Sequence, residues 1–279
     1  MTVVNQFKNY REYDEDTLNH IHEVLLNVLE DFITICEENK IEYFCGFGTA
    51  LGAIRHQGFI PWDDDLDVLM FRDEYYKFHE IMNNKNEKYE LLSFENEGFF
   101  RFLVKLNLKN TKSGEPWDIN TNFTLGLGLD IFILDNIPHN KFKKKIFRKK
   151  VLLIKKLNLI LLAMTNDIFY SKKSEKIGHF LKKIFNIIGI NQNFVRKRYN
   201  KLISYPPNNE VCELSAQYTV KFLPKNIFSP PKKVKFESLI VNVPNDYDTY
   251  LKIVYGDYMT LPPKEERVNH GYEIDFGPY

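Results

Sequence analysis

Apolar positions recur along the chain with two different periods. From Glu15 to Lys40, the residues Leu18, Ile21, Leu25, Val28, Leu29, Phe32 and Cys36 return every three or four positions, which predicts a long amphipathic helix. The aromatic run Ile41–Cys45 predicts a short strand, and Thr49–His56 can form a short helix. Asp67–Phe71 reads as a strand and Arg72–Asn84 as a helix. Tyr89–Phe94 and Arg101–Leu108 read as strands, the second by alternation. Leu127–Asp135 reads as a buried strand, stopped by Asn136–Pro138. The order to residue 138 is thus helix, strand, helix, strand, helix and three strands. That order predicts an α/β (α+β) domain on one mixed sheet, taken as residues 1–140.

The pattern changes after residue 140. Residues 141–204 predict an inserted, basic helical segment. Its first helix is amphipathic, with Ile146, Leu153, Leu157, Ile160 and Met164 on one face. Ser174–Gly189 and Asn193–Ile203 predict two more helices. The apolar stretch Val151–Met164 is 14 residues long and contains Lys155 and Lys156, too short and too charged to span a bilayer. Residues 205–279 predict a C-terminal part that packs on the core and completes the site. It holds a strand pair and a helix with Tyr250, Ile253 and Val254, stopped by Gly256.

Charge sharpens the division. The net charge is +1, yet Lys141–Lys201 holds 18 of the 38 basic residues and two of the 37 acidic ones, Asp167 and Glu175. That block suits a polyanion or an anionic membrane surface, or is an ordinary solvated helical face. Cys36, Cys45 and Cys212 form no CxxC pair, and the first residues show no apolar signal segment. Both features lead to the expectation of a cytoplasmic protein.

The chemistry concentrates in "GFIPWDDDLDVLM", Gly58–Met70. Carboxylates about 4 Å apart repel by roughly 4 kcal/mol at an effective dielectric near 20. If the segment is extended, Asp63, Asp65 and Asp67 share one face, with Asp64, Leu66 and Val68 on the other. Such a row of hard oxygens suits Mg²⁺, Mn²⁺ or Ca²⁺. Upstream, Gly46, Gly48 and Thr49 lead into a helix, where backbone N–H groups can approach phosphate. Downstream, Asp130 is a lone acid in an apolar run, paired either with a cation shared with Asp65 and Asp67 or with Arg55 or Arg101. A glycine–threonine turn, an Asp-x-Asp pair and a third Asp on a later strand form the layout of a nucleotidyltransferase (polymerase-β-like) site. The rival calcium loop places Asp63, Asp65, Asp67 and Glu74 at EF-hand positions but has Val68 where the loop needs glycine.

The stretch "GFGTALGAIRHQGFIPWDDDLDVLM" closely resembles the signature of the LicD family, and "YGDYMTLPPKEERVNHGYEIDF" is similar to its usual C-terminus. The family comprises phosphocholine transferases related to fukutin and fukutin-related protein. The resemblance implies a nucleotidyltransferase-like fold. It implies transfer of phosphocholine, or a similar phospho-alcohol such as ribitol phosphate, from a CDP-activated donor. The acceptor would be a sugar of teichoic acid, lipopolysaccharide or capsule, not a nucleic acid. It implies that Asp65, Asp67 and Asp130 hold two Mg²⁺ or Mn²⁺ ions, and the chemistry of such a site makes Asp130 the candidate general base. Gly48 and Thr49 would contact phosphate, and Arg55 and Lys105 the diphosphate. Trp62 would pack or stack on a base, and His56 and His270 would be polar neighbours of the site. Transfer of a nucleoside monophosphate with release of pyrophosphate is the alternative chemistry for the same metal site.

Overall fold

The computed structural model describes residues 12–83, 86–113, 123–165, 172–215, 220–269 and 273–279. Helix α1 (Glu15–Glu38) starts at Asp14, whose Oδ1 accepts the Thr17 N–H at 2.8 Å. Its seam Ile21, Leu25, Leu29, Phe32 and Cys36 is fully buried. Each such apolar side chain contributes about 1.5–3 kcal/mol by leaving water. Strand β1 (Phe44–Cys45), helix α2 (Phe47–Arg55), strand β2 (Asp67–Phe71) and helix α3 (Arg72–Asn83) follow as the sequence pattern implies. Next come β3 (Tyr89–Leu92), β4 (Val104–Leu108), β5 (Lys112–Ser113) and β6 (Gly128–Asn136).

The main sheet runs β1-β2-β6-β4-β3 among the described residues. β2 and β6 are parallel, while β1 against β2, β6 against β4 and β4 against β3 are antiparallel. The long β6 serves two partners along one edge. Its first half pairs with β4, and its second half with β7 (Glu210–Glu213), which pairs in turn with β8 (Phe222–Pro224). This mixed sheet with helices is the α+β, nucleotidyltransferase-like fold that the resemblance implied. A hairpin of β9 (Lys232–Phe236) and β10 (Leu239–Val243) precedes α7 (Tyr247–Tyr255), and Gly256, at φ 77°, ends that helix. A short β11 (Ile274–Asp275) pairs with β5.

The basic block forms α4 (Lys141–Thr165), α5 (Lys172–Ile188) and α6 (Gln192–Leu202). α4 and α6 pack with β7 in a second apolar cluster that also takes in Phe94 and Phe102. The predicted apolar face of α4 is covered only in part. Phe147, Val151, Ile154 and Leu161 of a neighbouring stripe are buried, Leu157 and Ile160 of the predicted face pack at the edge of the same cluster, and Ile146 and Leu153 are exposed. α4 carries two apolar stripes, so its periodicity fits either, and the position of α6 and β7 selects one. Nothing is described of the Met164 side chain. No helix among the described residues is long and apolar enough to cross a membrane.

Candidate active site

β2 and β6 begin side by side. Asp67 lies opposite Asp130 in their parallel register, and Lys105 of β4 lies opposite Asp130 from the other edge. Cross-strand partners share a sheet face. Asp67, Asp130 and Lys105 therefore form one polar row across three adjacent strands. Lys105 Nζ donates to Asp130 Oδ1 at 3.2 Å, with both side chains largely buried. This answers how Asp130 is tolerated: its partner is Lys105, and neither Arg55 nor Arg101 supplies that bond.

The aspartate row itself is not divided as strict alternation predicts. Residues 61–66 are irregular, and regular strand begins only at Asp67. Asp64, expected on the opposite face, joins Asp65 on the wall of a cavity of about 240 Å³. Arg101, Lys105 and Asp130 line the same cavity, with Tyr13 at another wall. Asp63 instead turns toward α2: a Cβ built on Gly48 would lie 2.5 Å from Asp63 Oδ2 and 3.7 Å from Asp67 Oδ2.

The start of α2 holds the mouth of β2. The Gly48 N–H donates to Asp67 Oδ2 at 3.3 Å, and the Asp67 N–H donates to Thr49 Oγ1 at 2.7 Å. The helix N-terminus thus meets a carboxylate, as its partial positive charge favours. Phe47 takes the rare φ of 36°, and its N–H donates to the hydroxyl of Tyr250 on α7 at 3.0 Å. His22 of α1 bonds through Nε2 to the Asp63 carbonyl at 2.6 Å and stacks on Phe59. Sequence reasoning missed these supports and Tyr13, and it named Arg101 and Asp64 without counting them as site residues. Tyr250 and His22 occupy helical positions whose only local signal is packing.

The other expected residues gather elsewhere. Arg55 sits at the far end of α2, about 10 Å along the axis from Gly48 at 1.5 Å per residue. Its Nε donates to His56 Nε2 at 2.9 Å and its Nη1 to the Tyr258 carbonyl at 2.9 Å. Burial, and then the Arg55 charge, push His56 below its ordinary value. Trp62 packs against the main core, with the Arg267 guanidinium over its ring at 5.1 Å. His270 lies outside the described residues. The calcium-loop alternative does not form: Val68 is within β2, and Glu74 on α3 accepts from the Glu42 N–H and from Lys77.

A family model described as the LicD/FKTN/FKRP nucleotidyltransferase domain matches residues 40–150. The lipopolysaccharide cholinephosphotransferase LicD of Haemophilus influenzae is 32% identical over 276 residues, covering 91% of this chain and 96% of that protein. The chain belongs to the LicD family. Two uncharacterized Rickettsia proteins match shorter segments. The one from R. typhi is 36% identical over 28% of this chain and 23% of its own, and the one from R. prowazekii 41% over 25% and 24%.

The LicD domain match contains the whole polar row and the aspartates before it. Their chemistry fits a hard divalent cation. Burial, and then the nearby carboxylates of Asp63, Asp67, Asp64 and Asp130, push Asp65 well above the usual carboxylate range. A cation among them would reverse that effect. Among the described residues no three carboxylate, imidazole or thiolate groups converge as a ready-made cage. The Gly48 N–H holds one carboxylate oxygen of Asp67, and Lys105 one of Asp130.

Proposed function

We propose that the protein is a metal-dependent phosphotransferase that moves phosphocholine from CDP-choline to a sugar of a cell-surface glycan, lipopolysaccharide foremost. The observation that carries this reading is the end-to-end similarity to the Haemophilus lipopolysaccharide cholinephosphotransferase. The crowding of carboxylates beside two cationic side chains in one cavity supports it.

In this reading Asp65, Asp67 and Asp130 hold Mg²⁺ or Mn²⁺, which neutralises charge on the diphosphate when bound. Lys105 and Arg101 add fixed positive charge on the cavity side. Arg55 is engaged with Tyr258 and His56, so its part is to hold that turn against α2. Gly48 and Thr49 fix Asp67 from the start of α2. The acceptor hydroxyl oxygen bonds to the choline-side phosphorus, and Asp130 takes the hydroxyl proton. The bond from that phosphorus to the bridging oxygen breaks, and CMP leaves with the electron pair. Three buried free cysteines agree with a reducing, cytoplasmic setting.

The test is incubation with CDP-choline, Mg²⁺ and a lipooligosaccharide acceptor lacking phosphocholine. CMP release that needs both metal and acceptor, and that Asp65→Asn and Asp67→Asn abolish, is the expected result. Pyrophosphate release from CTP without CMP would replace this reading by nucleotidyl transfer. CMP release from CDP-ribitol alone would keep the chemistry and change the transferred alcohol.

A further inference from the structure

Part of a second apolar stripe of α4 is left uncovered among the described residues. At about 100° per residue, Phe142, Ile146 and Leu153 line one side of the helix, about 120° around from the buried stripe, while Leu157 and Ile160 further along that side pack against the second cluster. Phe142 is 71% exposed and Leu153 58%. α5 packs beside α4 and turns Leu181 and Phe185 toward the shared cluster. It leaves Ile177, Phe180, Ile187 and Ile188 at 50%, 64%, 84% and 59% exposure. On the same helical wheel these four fall within an arc of about 100°, bordered by Lys176 and Lys183. Side chains of this kind, aligned along a helix and uncovered, mark an interaction surface.

Charge selects the occupant. The surrounding block Lys141–Lys201 holds 18 basic and two acidic residues. A second copy of this face would oppose like charges. A soluble polyanion would meet the lysines but leave the apolar arc in water. An anionic bilayer surface satisfies both, because lysines meet headgroups while Phe and Ile enter the acyl boundary. We propose that the exposed arc of α5, with the neighbouring stripe of α4, docks in the plane of an anionic lipid bilayer. This inference does not depend on the reading of the catalytic site.

The experiment is vesicle flotation of the full-length protein. Neutral phosphatidylcholine vesicles are compared with vesicles containing roughly a third phosphatidylglycerol. Binding to the anionic vesicles only is expected, weakening roughly tenfold or more between about 0.05 M and about 0.5 M NaCl. Lys176→Gln and Lys183→Gln should each weaken binding by roughly fivefold. Phe180→Ser with Ile187→Ser should weaken it by about tenfold, with circular dichroism and melting unchanged because both side chains are already exposed. Equal binding to neutral vesicles, or no binding, overturns the proposal. Binding that ignores the double serine change, or that soluble polyphosphate reproduces, assigns the face to a polyanion and overturns it too. So does concentration-dependent dimerisation that the double change abolishes.

Discussion

A Cβ on Gly48 would lie 2.5 Å from Asp63 Oδ2, so the first turn of α2 and the aspartate segment touch at a point where a methyl group does not fit. The atom in the way is the end of a side chain and can swing aside. Gly48→Ala should therefore melt within a few degrees of wild type and lose phosphocholine transfer. Gly52, on the same helix, gives the contrast. A Cβ there would meet the Gly58 carbonyl oxygen at 2.4 Å, and backbone cannot yield so cheaply. Gly52→Ala should cost roughly 1–3 kcal/mol in urea denaturation.

Asp65 allows activity and stability to be tested in one variant. Burial, and then its carboxylate neighbours, raise it, so folding favours its protonated form. The sign follows from linkage: a carboxyl raised above its unfolded value of 3.8 stabilises below that value, and the contribution is lost as pH rises through the folded value. Asp65→Asn keeps the neutral form at every pH. The variant should be at least as stable as wild type at neutral pH, with a flatter stability–pH curve, and should be inactive. Melting scans across acid to neutral pH, beside a CMP-release assay, test this. A clear loss of stability at neutral pH would contradict it.

Arg72 and Asp135 form a buried pair that ties α3 to β6. Nε and Nη2 of Arg72 donate to the two carboxylate oxygens at 2.8 and 2.7 Å, with the side chains 13% and 1% exposed. The carboxylate, and the Tyr199 hydroxyl with it, hold the guanidinium charged. Arg72→Leu should cost roughly 3–5 kcal/mol, because it strands a buried carboxylate. Adding Asp135→Leu should recover part of that loss. Urea denaturation of the single and double variants measures both.

His56 should titrate below 6.5. It accepts from Arg55, and partial burial, and then the adjacent guanidinium, oppose a proton. In the unfolded chain those effects vanish. As pH falls below about 6.5 the unfolded state takes a proton that the folded state refuses, so stability declines until His56 titrates in the fold. The His56 ring proton shift, followed by NMR, reads this directly. Arg55→Gln should move the midpoint upward.

The two stripes of α4 separate by stability. Phe147 is fully buried, and Phe147→Ala should cost roughly 3–5 kcal/mol. Leu153 is exposed, and Leu153→Ala should stay within about 0.5 kcal/mol. The reverse ranking would mean that α4 is rotated about its axis.

Much of this protein was determined locally. The seam of α1, the order of helices and strands to β4, the strand β6, the β9–β10 hairpin and the stop at Gly256 follow from short-range periodicity and turn chemistry, which act within a few residues. The two-residue β5, by contrast, was not predicted and exists as a strand only through its pairing with β11. The cost of massed carboxylates at Asp63–Asp67 was equally visible, because charge density needs no fold to be read. The tertiary structure decided what lies opposite what. Asp67 meets Asp130 across 63 positions of chain through strand register, and Lys105 reaches Asp130 from another strand. Tyr250 braces Phe47 from 203 positions away, and α6 with β7 chooses which stripe of α4 is buried. Asp64 joined the cavity because the chain there is irregular, so strict alternation did not apply. The physical reason is common to all of these. Periodicity says which side of an element is apolar, but a partner distant in sequence is chosen only when the whole sheet closes and one register buries more than its rivals.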